Sequence, residues 1–404
     1  MTRPRVLQII TSFGRGGTAH HVFEISRLLL DQFEVSILTG LEEEGEASLL
    51  GAAARAGIPV TVIPGLRRTR SILADRRALK DLVEAIRRIA PALVHTHRSK
   101  AGLLGRTGAR RAGVRRTVHT LYAPVGRPAD DRLSRRTSLA TERRLAQTTD
   151  RLITVSPSLA SELVDRRIAA EERIEVIYPI AQPRRLFDLP PPGAVRRRLG
   201  IGPDAPLIAF VGRLAPFKDP GLFLRVLATV AGSVPEVRAV VAGDGPGRAA
   251  LEAEARGRGL GSRLLFAGWM KDLAELYADI DLLIITSRQE GLALAAVEAA
   301  AAGKAVVATS VTGVTDVLNH GVTGLLAPPG DASSLAGATI LLLRDAGYRA
   351  RLGAAAREEA ERRFAGQDWT GRLAALYNRV LGRDLRRTAR APQAHPSRSR
   401  PSPP

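Results

Sequence analysis

Short apolar, β-branched runs alternate along the chain with longer stretches in which apolar positions recur every three or four residues. The runs at Val6–Ile10, Val35–Leu38, Val60–Ile63, Leu93–Thr96, Arg116–His119, Arg151–Val155 and Glu175–Tyr178 predict strands. Between them, Leu79, Leu82, Val83, Ile86 and Ile89 form one stripe, which predicts a helix over Ala78–Ala90. Such alternation predicts a parallel sheet with crossover helices.

The pattern breaks at Ile180–Gly202, a proline-dense segment with an arginine cluster that reads as a linker or hinge. It then restarts. Leu207–Val211, Val237–Ala242, Leu264–Phe266, Leu282–Thr286 and Ala305–Ala308 predict strands, and Leu325–Ala327 a short edge strand. The expected fold class is α/β, with two Rossmann-like, doubly wound domains facing across a cleft. The first spans about 1–185 and the second 186–365. An amphipathic helix at 366–382 is expected to pack back toward the first, and the arginine-, proline- and serine-rich stretch 383–404 is expected to be disordered. In open sheets of this kind, ligands bind beyond the carboxyl ends of the strands.

The 404 residues are too many for one ordinary core, which agrees with two domains. The absence of cysteine excludes disulfides and thiolate metal sites. No secretory signal and no membrane-spanning run is apparent, so a cytoplasmic location is expected. The formal net charge is +20, carried almost wholly by arginine. That charge suits phosphorylated ligands, an anionic membrane surface or nucleic acid. A genome rich in G and C would also enrich arginine. An aromatic content of 4% and the lack of a nucleic-acid motif oppose single-strand binding, which relies on stacking.

The densest chemistry lies at Ser287–Ala299, after the Leu282–Thr286 strand. Glu290 falls on a turn and Glu298 two turns into an alanine-rich helix. At ~1.5 Å rise per residue they stand up to ~12 Å apart, too far to share a proton. They suit instead the two ends of a long ligand. Free N–H groups at Gly291 and Leu292, at the expected helix start, would seat phosphate between them. Glu290 could simply favour the helix dipole and Glu298 an arginine partner. A carboxylate among alanines, however, requires a dedicated partner. Arg213 and Lys218 lie just past a strand's carboxyl end, where fixed cations would stabilise a leaving diphosphate. Gly14, Gly16 and Gly17 follow the first strand, and Gly243 and Gly245 a later one; alone these are weak phosphate-loop signals. His97 and His119 end strands, so both are candidates to face the cleft. No Asp-x-Asp stands beside a suitable strand, and histidines are few, so no metal is expected.

The Glu290–x7–Glu298 spacing followed by Ala-Ala-Ala-Ala-Gly-Lys resembles the signature of the retaining glycosyltransferases of family 4, which have the GT-B fold. Further matches fall in order: Gly212-Arg213-Leu214 with Lys218, Gly243-Asp244-Gly245-Pro246, Gly268-Trp269, Thr312 to Asp316, and Gly324-Leu325-Leu326. Gly16-Gly17, His95 to Gly102 and Val155-Ser156 match in the first half. The resemblance covers roughly 1–380. It departs at Tyr122, where relatives carry a second histidine after His119, and at Ile177-Tyr178-Pro179-Ile180, where they have Asn-Gly.

The resemblance implies a metal-independent hexosyltransferase moving a sugar from a nucleotide diphosphate, most commonly of uridine, with retention. Glu290 would meet the sugar and the phosphate turn, and Glu298 the ribose. Arg213 and Lys218 would meet the diphosphate, His119 or Tyr122 the sugar, and Gly16, Gly17, Gly243, Gly291 and Leu292 the backbone cradle. Expected partners are the nucleotide sugar, an acceptor of lipid-linked or polysaccharide-precursor type, and the inner face of an anionic membrane, with no nucleic acid and no cofactor. A sugar-nucleotide epimerase of the same fold and a nucleic-acid-binding protein are the alternatives.

Overall fold

The structure, a computed structural model, describes residues 2–14, 17–42, 48–67, 71–126, 132–179, 184–270, 272–365 and 368–383. Gly16 and the tail beyond Arg383 lie outside these residues.

Two parallel sheets organise the chain. The first contains β1 (Arg5–Ile10), β2 (Glu34–Thr39), β3 (Val60–Val62), β4 (Leu93–His97), β5 (Thr117–Leu121), β6 (Arg151–Thr154) and β7 (Ile174–Val176), in the order β3-β2-β1-β4-β5-β6-β7. The second contains β8 (Leu207–Val211), β9 (Arg238–Ala242), β10 (Leu264–Gly268), β11 (Leu282–Ile285), β12 (Ala305–Thr309) and β13 (Leu325–Ala327), in the order β10-β9-β8-β11-β12-β13. β13 forms the sheet's edge, as its short apolar run predicts. Strand order reverses between β1 and β4 in one sheet and between β8 and β11 in the other. Each reversal opens a crevice at the carboxyl ends of its strands.

Period-2 alternation sends successive strand residues to opposite faces. In β1, Leu7 and Ile9 meet the helices Ile72–Ile89 and Ser99–Arg111 through Leu82, Ile86, Ala101 and Leu104. Val6, on the other face, joins Ile25, Phe33 and the C-terminal helix Trp369–Val380 through Leu373, Leu376 and Tyr377. The helix Ile72–Ile89 starts six residues before the apolar stripe predicts, because Ser71 caps it by accepting from Ala74 N–H.

The segment read as a linker is partly ordered into the second domain. It forms short helices at Arg184–Phe187 and Ala194–Arg198. Asp279 accepts from the Val195 and Arg196 N–H groups at 2.7 and 2.9 Å, and from Gly193 N–H, so the start of the second short helix is tied down. Proline density signalled the break in alternation but not this capping carboxylate, which lies over eighty residues downstream.

The chain crosses between the domains a second time after the helix Ala346–Ala360. Tyr178 meets Phe364 and Trp369 edge-on, Arg363 donates to its hydroxyl at 3.2 Å, and Arg372 donates to the Val176 carbonyl at 2.8 Å. Among the described residues no helix is long and apolar enough to cross a membrane.

Candidate active site

The loops after β8 and β11 flank the second sheet's crevice. Gly212, at φ +152, and Gly243, at φ +147, let two strand ends stack. A Cβ on Gly243 would fall 1.9 Å from the Gly212 carbonyl oxygen, so only glycine fits. The expected role of Gly243 as a phosphate loop therefore has a packing use beside it.

Lys218 ends a 3-10 turn, Pro216–Lys218, that the β11 end holds in place. The Thr286 hydroxyl lies 3.0 and 2.9 Å from the Lys218 and Asp219 carbonyls, and Arg288 N–H donates to the Phe217 carbonyl at 2.8 Å. Asp219 takes the left-handed conformation, caps the helix Pro220–Ser233, and pairs with the Arg288 guanidinium at 2.7 Å. So fixed, the Lys218 stem lies over Gly212 and its ammonium pairs with the Glu290 carboxylate. Ser287 donates to the same carboxylate oxygen at 2.6 Å. Glu290 is 7% exposed. Arg213 lies half-buried beside this turn.

Glu298 sits in the helix Leu294–Ala301 with its carboxylate 3.1 Å from the Tyr277 hydroxyl. Burial pushes its pKa up to about 7, against the pull of that hydrogen bond and of the Lys218 charge. Lys218 thus pairs with Glu290, and its charge also favours the ionised form of Glu298.

The helix itself begins at Leu294, with Ala293 as its first flanking residue, rather than at Gly291. Gly291 serves close approach between domains. A Cβ there would fall 2.0 Å from the Tyr122 carbonyl oxygen, and one on Gly313 would fall 2.7 Å from Gly291. The Leu292 side chain is core, 7% exposed, so only its backbone remains for a ligand. Beside this contact Asp316 accepts from the Ser158 N–H at 3.1 Å and its hydroxyl at 2.8 Å, at the start of the first-domain helix Pro157–Asp165. These contacts bring the two sets of strand ends face to face.

In the first domain, Gly17 opens the helix Gly17–Leu28 with open space at its Cβ position. The histidines behave otherwise than expected. His119 is 1% exposed, and its ring lies under Gly102, where a Cβ would fall 2.4 Å from Cε1. Its Nδ1 is within 2.8 Å of the Thr96 hydroxyl and 3.0 Å of the Thr96 carbonyl. The ring points into the sheet–helix layer and away from the groove, which corrects the reading of His119 as a catalytic group. Strand alternation puts His95 and His97 on the opposite face. His95 bridges the Tyr377 hydroxyl (2.6 Å) and the Thr120 hydroxyl (2.7 Å). His97 bridges the Gln8 amide oxygen (2.8 Å) and the Tyr122 hydroxyl (3.0 Å). Burial lowers the pKa of all three well below 6.5, so they are neutral at pH 7.

Sequence reasoning missed Ser287, Tyr277, and the Asp316–Ser158 pair. Ser287 could have been found, as the residue opening the motif beside Glu290. Tyr277 stands alone in an ordinary amphipathic stretch and gave no signal. The one Asp-x-Asp near a strand, Asp279-Ile280-Asp281, precedes β11 at its amino end. Asp281 there accepts from Leu207 N–H at 2.8 Å and pairs with Arg196 and Arg349 at 3.4 Å each. Among the described residues no group of three or more metal-ligating side chains forms.

Two doubly wound domains with a cation–carboxylate crevice where they meet define the GT-B class of glycosyltransferase. Residues 15–185 match the family model described as Glycosyltransferase Family 4, and residues 194–359 match that of Glycosyl transferases group 1. The D-inositol 3-phosphate glycosyltransferase of Thermobispora bispora is 32% identical over 307 residues, covering 72% of this chain and 71% of that one. The enzyme of the same name from Mycobacterium tuberculosis strain H37Ra is 32% identical over 305 residues, and there the chain covers 62% of the relative's length. In fold, the chain is similar to sucrose-phosphate synthase from Thermosynechococcus elongatus, with a TM-score of 0.78, 22% identity, and coverage of 94% and 100%. It is likewise similar to Anabaena HepE in complex with UDP and glucose, with a TM-score of 0.77, 22% identity, and coverage of 93% and 100%. The chain belongs to glycosyltransferase family 4, and it is a glycosyltransferase. That membership displaces the epimerase and nucleic-acid readings.

Proposed function

We propose that the chain transfers a sugar, with retention and without a metal, from a UDP-linked donor to an acceptor hydroxyl. The observation that carries this is the Lys218 ammonium, fixed over Gly212, paired with Glu290 and acting on Glu298. A sugar, a diphosphate and a ribose need that succession of groups. UDP is favoured because solved proteins of this fold hold it.

In this reading Lys218 and Arg213 neutralise the diphosphate as its bond to the anomeric carbon breaks, stabilising the transition state more than the ground state. The acceptor oxygen attacks from the face the diphosphate leaves and bonds to that carbon. Its proton passes to a leaving phosphate oxygen. Glu290 holds Lys218 in place and meets the sugar hydroxyls, Glu298 holds the ribose, and the Gly17, Gly291 and Leu292 backbones meet the donor. Closure of the hinge over the donor excludes water that would otherwise hydrolyse it.

The acceptor belongs to cell-surface polysaccharide, lipopolysaccharide or glycolipid synthesis at the inner face of the cytoplasmic membrane, a reading supported by the net charge of +20. The relatives' name favours a second reading, a phosphorylated cyclitol acceptor. A thermal-shift panel of nucleotide sugars, followed by NMR of the product's anomeric configuration, tests the proposal. A UDP-sugar should raise Tm and give a product of unchanged configuration. Stabilisation by no nucleotide sugar, or an inverted product, overturns it.

A further inference from the structure

We propose that Tyr277 is a positioning residue: its hydroxyl holds Oε2 of Glu298 so that the carboxylate offers Oε1 to the donor's ribose hydroxyls. This rests on the assignment of Glu298 to the ribose. Tyr277 lies in the helix Ala274–Asp279 and is fully buried. A buried phenol needs a polar partner, and this one has two, the Glu298 carboxylate at 3.1 Å and the Ala295 carbonyl at 3.3 Å. The charged acceptor is the stronger. The surrounding helix face is apolar, with Val297, Ala299 and Ala300 buried, so little else orients the carboxylate.

Charged groups on the adjoining elements have partners of their own: Lys218 pairs with Glu290, Asp279 accepts from the N–H groups that open the helix Ala194–Arg198, Glu275 pairs with Arg198, and Glu359 with Arg362 and Arg363. Arg349 pairs with Asp281 and Arg357 with Glu361 on the helix Ala346–Ala360. Lys304, past the helix end, donates to the Ala278 carbonyl at 3.2 Å. Arg185, on the short helix Arg184–Phe187, is exposed. β11 and β12 carry no titratable residue.

Two ribose hydroxyls both donate, so the clamp needs the ionised carboxylate, which accepts without donating. Burial works against ionisation, and Tyr277 and Lys218 work for it. Donor binding should therefore weaken as pH falls through about 7. Removing the phenolic hydroxyl should move that limb to higher pH.

The test is donor KM from about pH 5.5 to about pH 9 for the full chain and for Y277F, E298Q and the double variant. The limb should rise by about one unit in Y277F, with kcat at saturating donor and high pH within about twofold. E298Q should raise KM about tenfold and flatten the limb, and adding Y277F to it should change KM less than about twofold. Unchanged KM in E298Q overturns the ribose assignment, and this inference with it. A weakened E298Q beside a Y277F that leaves the limb in place, or that adds its full effect in the E298Q background, overturns the role of Tyr277 alone. If Y277F does not fold, Tyr277→Met supplies the same readouts.

Discussion

The two domains share a strand order that reverses at the centre, yet they place their polar residues in opposite locations. The first carries Gln8, His95, His97, His119 and Thr120 within its strands, where they bond to one another, to Thr96, and to Tyr377 and Tyr122. The second has strands that are almost wholly apolar, such as Leu207–Val211 and Ala305–Thr309, and gathers Lys218, Ser287 and Glu290 just beyond their carboxyl ends. Chemically versatile side chains thus rigidify one half and line the groove in the other. Residue type alone does not separate the two uses; position along the strand does.

That contrast can be broken by mutation. Lys218→Ala should lower kcat by about 10²–10³-fold, the effect of removing one fixed charge at a developing anion. Its Tm should fall only modestly, because Glu290 loses its cation but keeps the Ser287 hydrogen bond; steady-state transfer assays and thermal melts read both. Gly291→Ala should lower kcat by about 10²-fold, since a methyl group 2.0 Å from the Tyr122 carbonyl forces the domains apart. Wild-type kinetics in Gly291→Ala would mean that this closure is dispensable.

His119→Ala should do the reverse, costing about 2–4 kcal/mol of stability by denaturant melts while leaving donor KM unchanged. The same region sets a pH dependence. Histidines held neutral by burial bind fewer protons than the unfolded chain below pH 6.5, so stability should fall as pH drops through 6.5 and rise to a plateau above it. Each contributes up to about 1.4 kcal/mol per pH unit there. A melt midpoint flat between pH 7 and about pH 5 would show the histidines to be solvated. The smallest effect is expected for Ser158→Ala, a few-fold loss in kcat from one interdomain hydrogen bond.

The sequence carried the fold well because strand and helix periods differ and the two alternate throughout. Even the edge strand Leu325–Ala327 was legible from its brevity. The Glu290 and Lys218 candidates were legible because each follows a strand's carboxyl end, and the structure brings them together. His119 misled for the same reason: it too sits near a strand end, but alternation decides which face it takes, and Gly102 opposite leaves room for a ring. The Asp316–Ser158 and Tyr277–Glu298 pairs join residues far apart or in unrelated elements, and no local pattern records them.

The docking of the helix Trp369–Val380 onto β1 and β4 has a bearing on how the protein is made. Leu373, Leu376 and Tyr377 complete a core begun by Val6, Ile25 and Phe33. On the ribosome, the first domain emerges first, but part of one sheet face stays uncovered until the second domain and then residues 373–380 have been translated.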